Sequence, residues 1–134
     1  MNRTAPVSVI LVDDEVSFVT VLAKRLALRG LDSLATTSGP QAIQALRSRD
    51  FDVAVLDLKM DRMDGMEVLR LFRQMLPSMR VIMLTGHGGE TEARQAIMAG
   101  AYDYIIKPCE FEDLLAKIEK AADAARRTRD ENTS

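Results

Sequence analysis

The chain has 134 residues with 18 basic and 20 acidic side chains, a formal net charge of -2, and 47% apolar residues. That is the make-up of one globular domain, which excludes a disordered chain or a pair of domains. The near-neutral balance lacks the basic footprint of a dedicated nucleic-acid module, and the single cysteine, Cys109, excludes an intrachain disulfide framework and fits a reducing compartment. The first apolar stretch, Val7–Val12, runs straight into Asp13, Asp14 and Glu15. It is too short for a secretory signal or for a membrane span, which takes about 20 apolar residues. The expectation is a cytoplasmic chain with no membrane and no direct nucleic-acid contact.

Val7–Val12 reads as the first strand, apolar with little alternation, as strands buried on both faces do. A first helix follows, with Phe18, Leu22 and Leu26 every four residues and Gly30 at the place of a left-handed cap. After a second strand, Leu31–Thr36, a second helix opens at Ser38 with Pro40 in its first turn and Ile43 and Leu46 inward. The third strand is Asp52–Leu56. Asp64-Gly65-Met66-Glu67 resembles a capping box for a helix that presents Leu69 and Phe72 and stops at Pro77. Arg80–Leu84 is a fourth strand, and a weakly apolar helix runs from about Glu90 to Ala99, ending at Gly100. The fifth strand, Tyr102–Ile106, leads through Pro108 to a helix with acids in its first turn and Leu114, Leu115 and Ile118 inward. Arg126, Arg127 and Arg129 read as a helix end reaching solvent. The expected organisation is one domain over 6–126 and a frayed polar tail over 127–134.

Strands alternating with helices predict an α/β doubly wound sheet of five parallel strands. In such sheets ligands bind outside the carboxyl ends of the strands. Those ends carry Asp13 and Asp14 after the first strand, Asp57 after the third, Thr85 after the fourth and Lys107 after the fifth. Converging carboxylates repel unless a cation joins them, and hard oxygen ligands suit Mg²⁺. A lysine and a hydroxyl beside them can hold phosphoryl oxygens, so the chemistry implied is phosphoryl transfer.

Five strings sharpen this reading: Val9-Ile10-Leu11-Val12-Asp13-Asp14-Glu15, Val53-Ala54-Val55-Leu56-Asp57-Leu58, Met63-Asp64-Gly65, Met83-Leu84-Thr85-Gly86 and Tyr104-Ile105-Ile106-Lys107-Pro108. In this order and at these strand ends, the chain resembles the receiver domain of bacterial two-component response regulators, of the chemotaxis-regulator type. The resemblance implies a flavodoxin-like fold with strand order 2-1-3-4-5 and a cis Lys107–Pro108 peptide. It implies Asp57 as phosphoacceptor, Asp13 and Asp14 with Asp57 as Mg²⁺ ligands, and the backbone carbonyl of Lys59 as a further ligand. Lys107 would be the phosphoryl partner and Thr85 with Tyr104 the switch pair, while Lys59 and His87 sit where the family tunes hydrolysis of the acyl phosphate. The implied partners are a sensor histidine kinase or phosphotransfer protein and a downstream protein met by the fourth helix, fifth strand and fifth helix. Two departures stand out: Asp61 and Arg62 replace the family's proline and glycine or asparagine, loosening that loop, and Cys109 stands where a larger side chain is common.

Plainer readings compete. Tyr104 could also be an ordinary sheet aromatic, though the switch role is favoured, while His87 reads better as a mobile surface histidine and Cys109 as an inert, partly buried thiol. Other function classes also remain: a pseudo-receiver that binds without being phosphorylated, or a haloacid-dehalogenase-type phosphatase. The latter needs a second aspartate where Lys59 stands. A flavodoxin-like cofactor carrier is disfavoured because Asp13, Asp14 and Glu15 would repel its phosphate. The expected activity is therefore not that of a conventional enzyme but of a chain that modifies only itself.

Overall fold

The structure, a computed structural model, describes residues 5–60, 63–86 and 89–133, with the side chains of 132 and 133 excepted. The elements in chain order are β1 (Ser8–Val12), α1 (Val16–Leu28), β2 (Asp32–Thr36), α2 (Gly39–Ser48), β3 (Val53–Leu56), β4 (Lys59–Met60), β5 (Met63–Asp64), α3 (Gly65–Met75), β6 (Arg80–Thr85), α4 (Glu90–Met98), β7 (Asp103–Ile106) and α5 (Phe111–Thr133). Five strands form one parallel sheet in the order β2-β1-β3-β6-β7. This is the expected 2-1-3-4-5 order, because β4 and β5 form a separate antiparallel hairpin between the third and fourth sheet strands.

The hairpin was not expected. Its strands are two residues each, too short to leave a period in the sequence. Asp61 and Arg62, whose effect on this loop was anticipated, lie outside the described residues, as does His87.

Alternate residues of the central strands feed two cores. Val9, Leu11, Val53, Val55, Ile82 and Leu84 pack with α1 and α5, while Ile10, Val12, Ala54, Leu56, Val81 and Met83 pack with α2, α3 and α4. Helix entries follow local chemistry. Ser38 Oγ accepts from Gln41 N at 3.2 Å, and an Asp64 carboxylate oxygen accepts from Met66 N at 2.9 Å. Gly30 and Gly100, with φ of 90° and 109°, take the left-handed turns that close α1 and α4.

One expectation is corrected. Helix α5 continues past Arg126 to Thr133, and Arg126 is buried rather than solvated. The cause is periodic: Ala121, Ala122 and Ala125 extend the inner stripe of Leu114, Leu115 and Ile118. That register lays Arg126 and Arg129 over the carboxylate of Asp52, at the amino end of β3. Arg127 does face solvent, as anticipated.

Candidate functional site

Backbone pairing assembles the site before any side chain acts. The Asp57 amide donates to Val12 O at 3.0 Å, so the residue after β3 lies beside the end of β1. The Lys107 amide donates to Thr85 O at 2.8 Å, which joins the ends of β6 and β7. Behind Asp57, the Gly65 amide donates to Leu58 O at 2.8 Å. A Cβ at position 65 would collide with the carbonyl oxygens of Asp57 and Leu58 and come within 2.7 Å of Leu58 Cα. Glycine there lets α3 press against the segment that aims Asp57.

Asp13, Asp14 and Asp57 each bring a carboxylate oxygen within 4.8 Å of the other two. Asp57 is 4% and Asp13 5% exposed, with Asp14 half-buried. Asp57 Oδ1 is buried and has no hydrogen-bond partner. Asp13 has two: Glu15 N donates to Oδ1 at 2.9 Å and Lys107 Nζ to Oδ2 at 2.7 Å. Lys107 Nζ also reaches Glu15 Oε1 at 3.4 Å.

Burial pushes the Asp13 carboxyl above its ordinary pKa, aided by the nearby charge of Asp57 and opposed by the Lys107 hydrogen bond. For Lys107, burial works downward, but the bond to Asp13 and the charges of Asp13, Asp57 and Glu15 outweigh it, so its pKa is raised and the ammonium stays charged. An anionic cluster with one unpaired buried oxygen suits a hard divalent ion, and the donor set fits Mg²⁺.

Thr85 is fully buried at the end of β6. Tyr104 pairs in register with Met83 and packs partly buried against the core shared with α2, α3 and α4. Burial raises its phenol pKa, with the charges of Glu92 and Asp57 adding to the effect. Lys59 opens the β4–β5 hairpin with its side chain exposed. Cys109 is half-buried, and burial together with Asp113 and Glu110 holds its thiol protonated. Glu15 and Phe18, which flank the Lys107 ammonium, were not singled out in the sequence as site residues. The excess of acid in Asp13-Asp14-Glu15 was the available signal for the former.

A parallel sheet carrying an acidic triad, a lysine and a buried threonine at its carboxyl edge defines a phosphoryl-handling domain. Residues 9–119 match the response regulator receiver domain, and the chain belongs to that family, the receivers of two-component signal transduction. It is 35% identical over 115 residues to the transcriptional regulatory protein ZraR of Escherichia coli O157:H7, covering 86% of this chain and 26% of that protein. It is 36% identical over 110 residues to the DNA-binding transcriptional regulator NtrC of Escherichia coli strain K12, covering 82% and 24%. The CheY-like receiver domain protein from Methanospirillum hungatei JF-1 superposes with a TM-score of 0.87 at 26% identity, covering 92% of this chain and 98% of that one. The chain spans about a quarter of the length of the curated relatives it matches. Family membership removes the phosphatase alternative. Among the described residues no helix is long and apolar enough to cross a membrane.

Proposed function

We propose that Asp57 is the phosphoacceptor of this receiver and that its phosphorylation changes the surface formed by α4, β7 and α5. The observation that carries the reading is the unpaired buried Oδ1 of Asp57 beside the carboxylates of Asp13 and Asp14. A carboxylate oxygen of Asp57 attacks the phosphorus of a phosphohistidine on a sensor kinase or phosphotransfer protein. The new O–P bond forms as the P–N bond breaks, and the electron pair leaves with the imidazole nitrogen, which takes up a proton. Asp13, Asp14, Asp57 and the Lys59 carbonyl would hold Mg²⁺, which would supply charge neutralisation for the phosphoryl oxygens. Lys107 leaves Asp13 to pair with one of those oxygens, and the Thr85 hydroxyl donates to another. Tyr104 then turns into the space that Thr85 vacates.

The response reaches the surface through α4, which buries only Ala96 and exposes Ile97 and Met98. A downstream protein reads that face, in the cytoplasm, without this domain touching nucleic acid or membrane. The chain turns over only its own acyl phosphate. His87 and Lys59 tune that lifetime.

Incubation with acetyl phosphate and Mg²⁺ is expected to add one phosphoryl group by intact mass, and Asp57→Asn or EDTA to abolish it. Labelling that persists in Asp57→Asn refutes the acceptor assignment, and labelling indifferent to EDTA refutes the metal requirement.

A further inference from the structure

We propose that Phe18 is a positioning residue for Lys107. Its ring holds the ammonium on the α1 side of the site, paired with Asp13, and so sets how readily that cation is released to an incoming phosphoryl group. The inference rests on the reading of Asp57 as phosphoacceptor and Lys107 as its phosphoryl partner.

Three contacts converge on Lys107 Nζ. Asp13 Oδ2 lies at 2.7 Å, Glu15 Oε1 at 3.4 Å, and the centroid of the Phe18 ring at 4.1 Å. Among the described residues, Lys107 makes no hydrogen bond to Asp57, whose Oδ1 is without a partner. The cation is therefore parked beside the acceptor rather than on it.

Phe18 is not simply one more core residue of α1. Val19, Leu22 and Leu26 form the buried stripe of that helix, while Phe18 is only half-buried. Its ring stands at a junction. On one side it lines a small void with Asp13 and Asp57. On the other it walls a cleft of about 290 Å³ with Leu22, Arg25, Pro108 and Phe111, and Lys107 lies at the boundary of that cleft.

An aromatic face attracts a cation through its quadrupole, which a leucine of comparable bulk lacks. The contact is made with Lys107 on Asp13, and a ring that the ammonium leaves on engagement favours the parked state. Asp13 is the shared partner: while it holds Lys107 it is less available to a divalent ion. Loosening the ring's hold is therefore expected to strengthen Mg²⁺ binding as well as to free the ammonium.

The test compares Phe18→Leu with Phe18→Tyr in the whole chain. In the wild type, the Lys107 ε-methylene protons are expected to be shifted upfield by the ring current. That shift should survive in Phe18→Tyr and vanish in Phe18→Leu. Titration with Mg²⁺ alone should show about threefold tighter binding in Phe18→Leu and wild-type binding in Phe18→Tyr, with a similar gain in acetyl phosphate labelling at subsaturating Mg²⁺. Wild-type Mg²⁺ affinity in Phe18→Leu overturns the proposal. So does an equal change in both variants, which marks packing rather than the π face. Failure of the wild type itself to be labelled overturns the phosphoacceptor reading instead, and the spectroscopic and Mg²⁺ readouts still decide the role of Phe18.

Discussion

Asp52 offers a stability test whose size can be worked from the structure. It is 2% exposed, and its carboxylate accepts from Ser8 N at 3.0 Å, Ser8 Oγ at 3.2 Å, Arg126 Nε at 3.3 Å, Arg126 Nη2 at 3.0 Å and Arg129 Nη2. Replacing it with alanine strips the counter-charge from two guanidinium side chains that are 10% and 26% exposed. Removing one partner of a buried pair costs about 3–5 kcal/mol. Asp52→Ala is therefore expected to lose about 4 kcal/mol, and Asp52→Asn, which keeps one acceptor oxygen, about 2 kcal/mol. At roughly 4 °C per kcal/mol for a domain of this size, the alanine variant melts about 15 °C lower.

The effect has a pH signature. Burial pushes the Asp52 carboxyl up, but hydrogen bonds from Arg126, Ser8 and Arg129 outweigh it and hold the pKa below its ordinary 3.8. A carboxylate depressed by folding contributes stability above its unfolded pKa and loses it as pH falls through the folded one. Urea unfolding followed by circular dichroism should thus give a constant gap between wild type and Asp52→Asn from about pH 8 to pH 5, narrowing below about pH 4. A neutral-pH gap under about 1 kcal/mol, the scale of exposed pairs, would refute the reasoning. A gap of full size at about pH 2 would refute it equally.

Gly65→Ala is expected to cost about 1–3 kcal/mol and to slow phosphorylation, because the clash is with the backbone of Asp57 and Leu58 and no rotamer relieves it; unaltered acetyl phosphate labelling kinetics would show that the clamp does not aim Asp57. Hydrogen exchange with and without beryllofluoride should change protection in α4 and β7, because Ala96 is the one fully buried residue of α4. Changes confined to α1 and α2 would place the coupling elsewhere.

Residues buried on both faces wrote themselves clearly into the sequence. Val9–Val12, Val53–Leu56 and Val81–Leu84 are continuous apolar runs because the sheet is covered on both sides. Ser38, Asp64 and Gly30 marked helix ends because capping is chemistry between near neighbours. What stayed hidden was pairing over distance. Arg126 meets Asp52 across 74 positions, and although the alanine stripe sets it on the inner face apart from the exposed Arg127, nothing local names the carboxylate it meets. Lys107 was legible as a site residue, but its parking place on Phe18 and Glu15 was not, since α1 and β7 are joined only by the fold. The β4–β5 hairpin was lost for a third reason, being too short for any periodicity.

The two ends of β3 show how one strand divides stability from chemistry. Asp52 precedes Val53 and Asp57 follows Leu56, each nearly without solvent, so desolvation acts on both. At Asp52 five donated hydrogen bonds from Ser8, Arg126 and Arg129 compensate it, and the carboxylate is locked between the amino-terminal segment and the last turns of α5. At Asp57 the carboxylates of Asp13 and Asp14 lie close by, and the Lys107 ammonium is bonded to Asp13. An oxygen left without a partner in such surroundings keeps its lone pairs available, and a cation or an electrophilic phosphorus relieves what the protein leaves unrelieved. A buried aspartate is therefore not a functional signal by itself. The difference lies in whether the fold has already satisfied it, and on this strand it has done so at one end only.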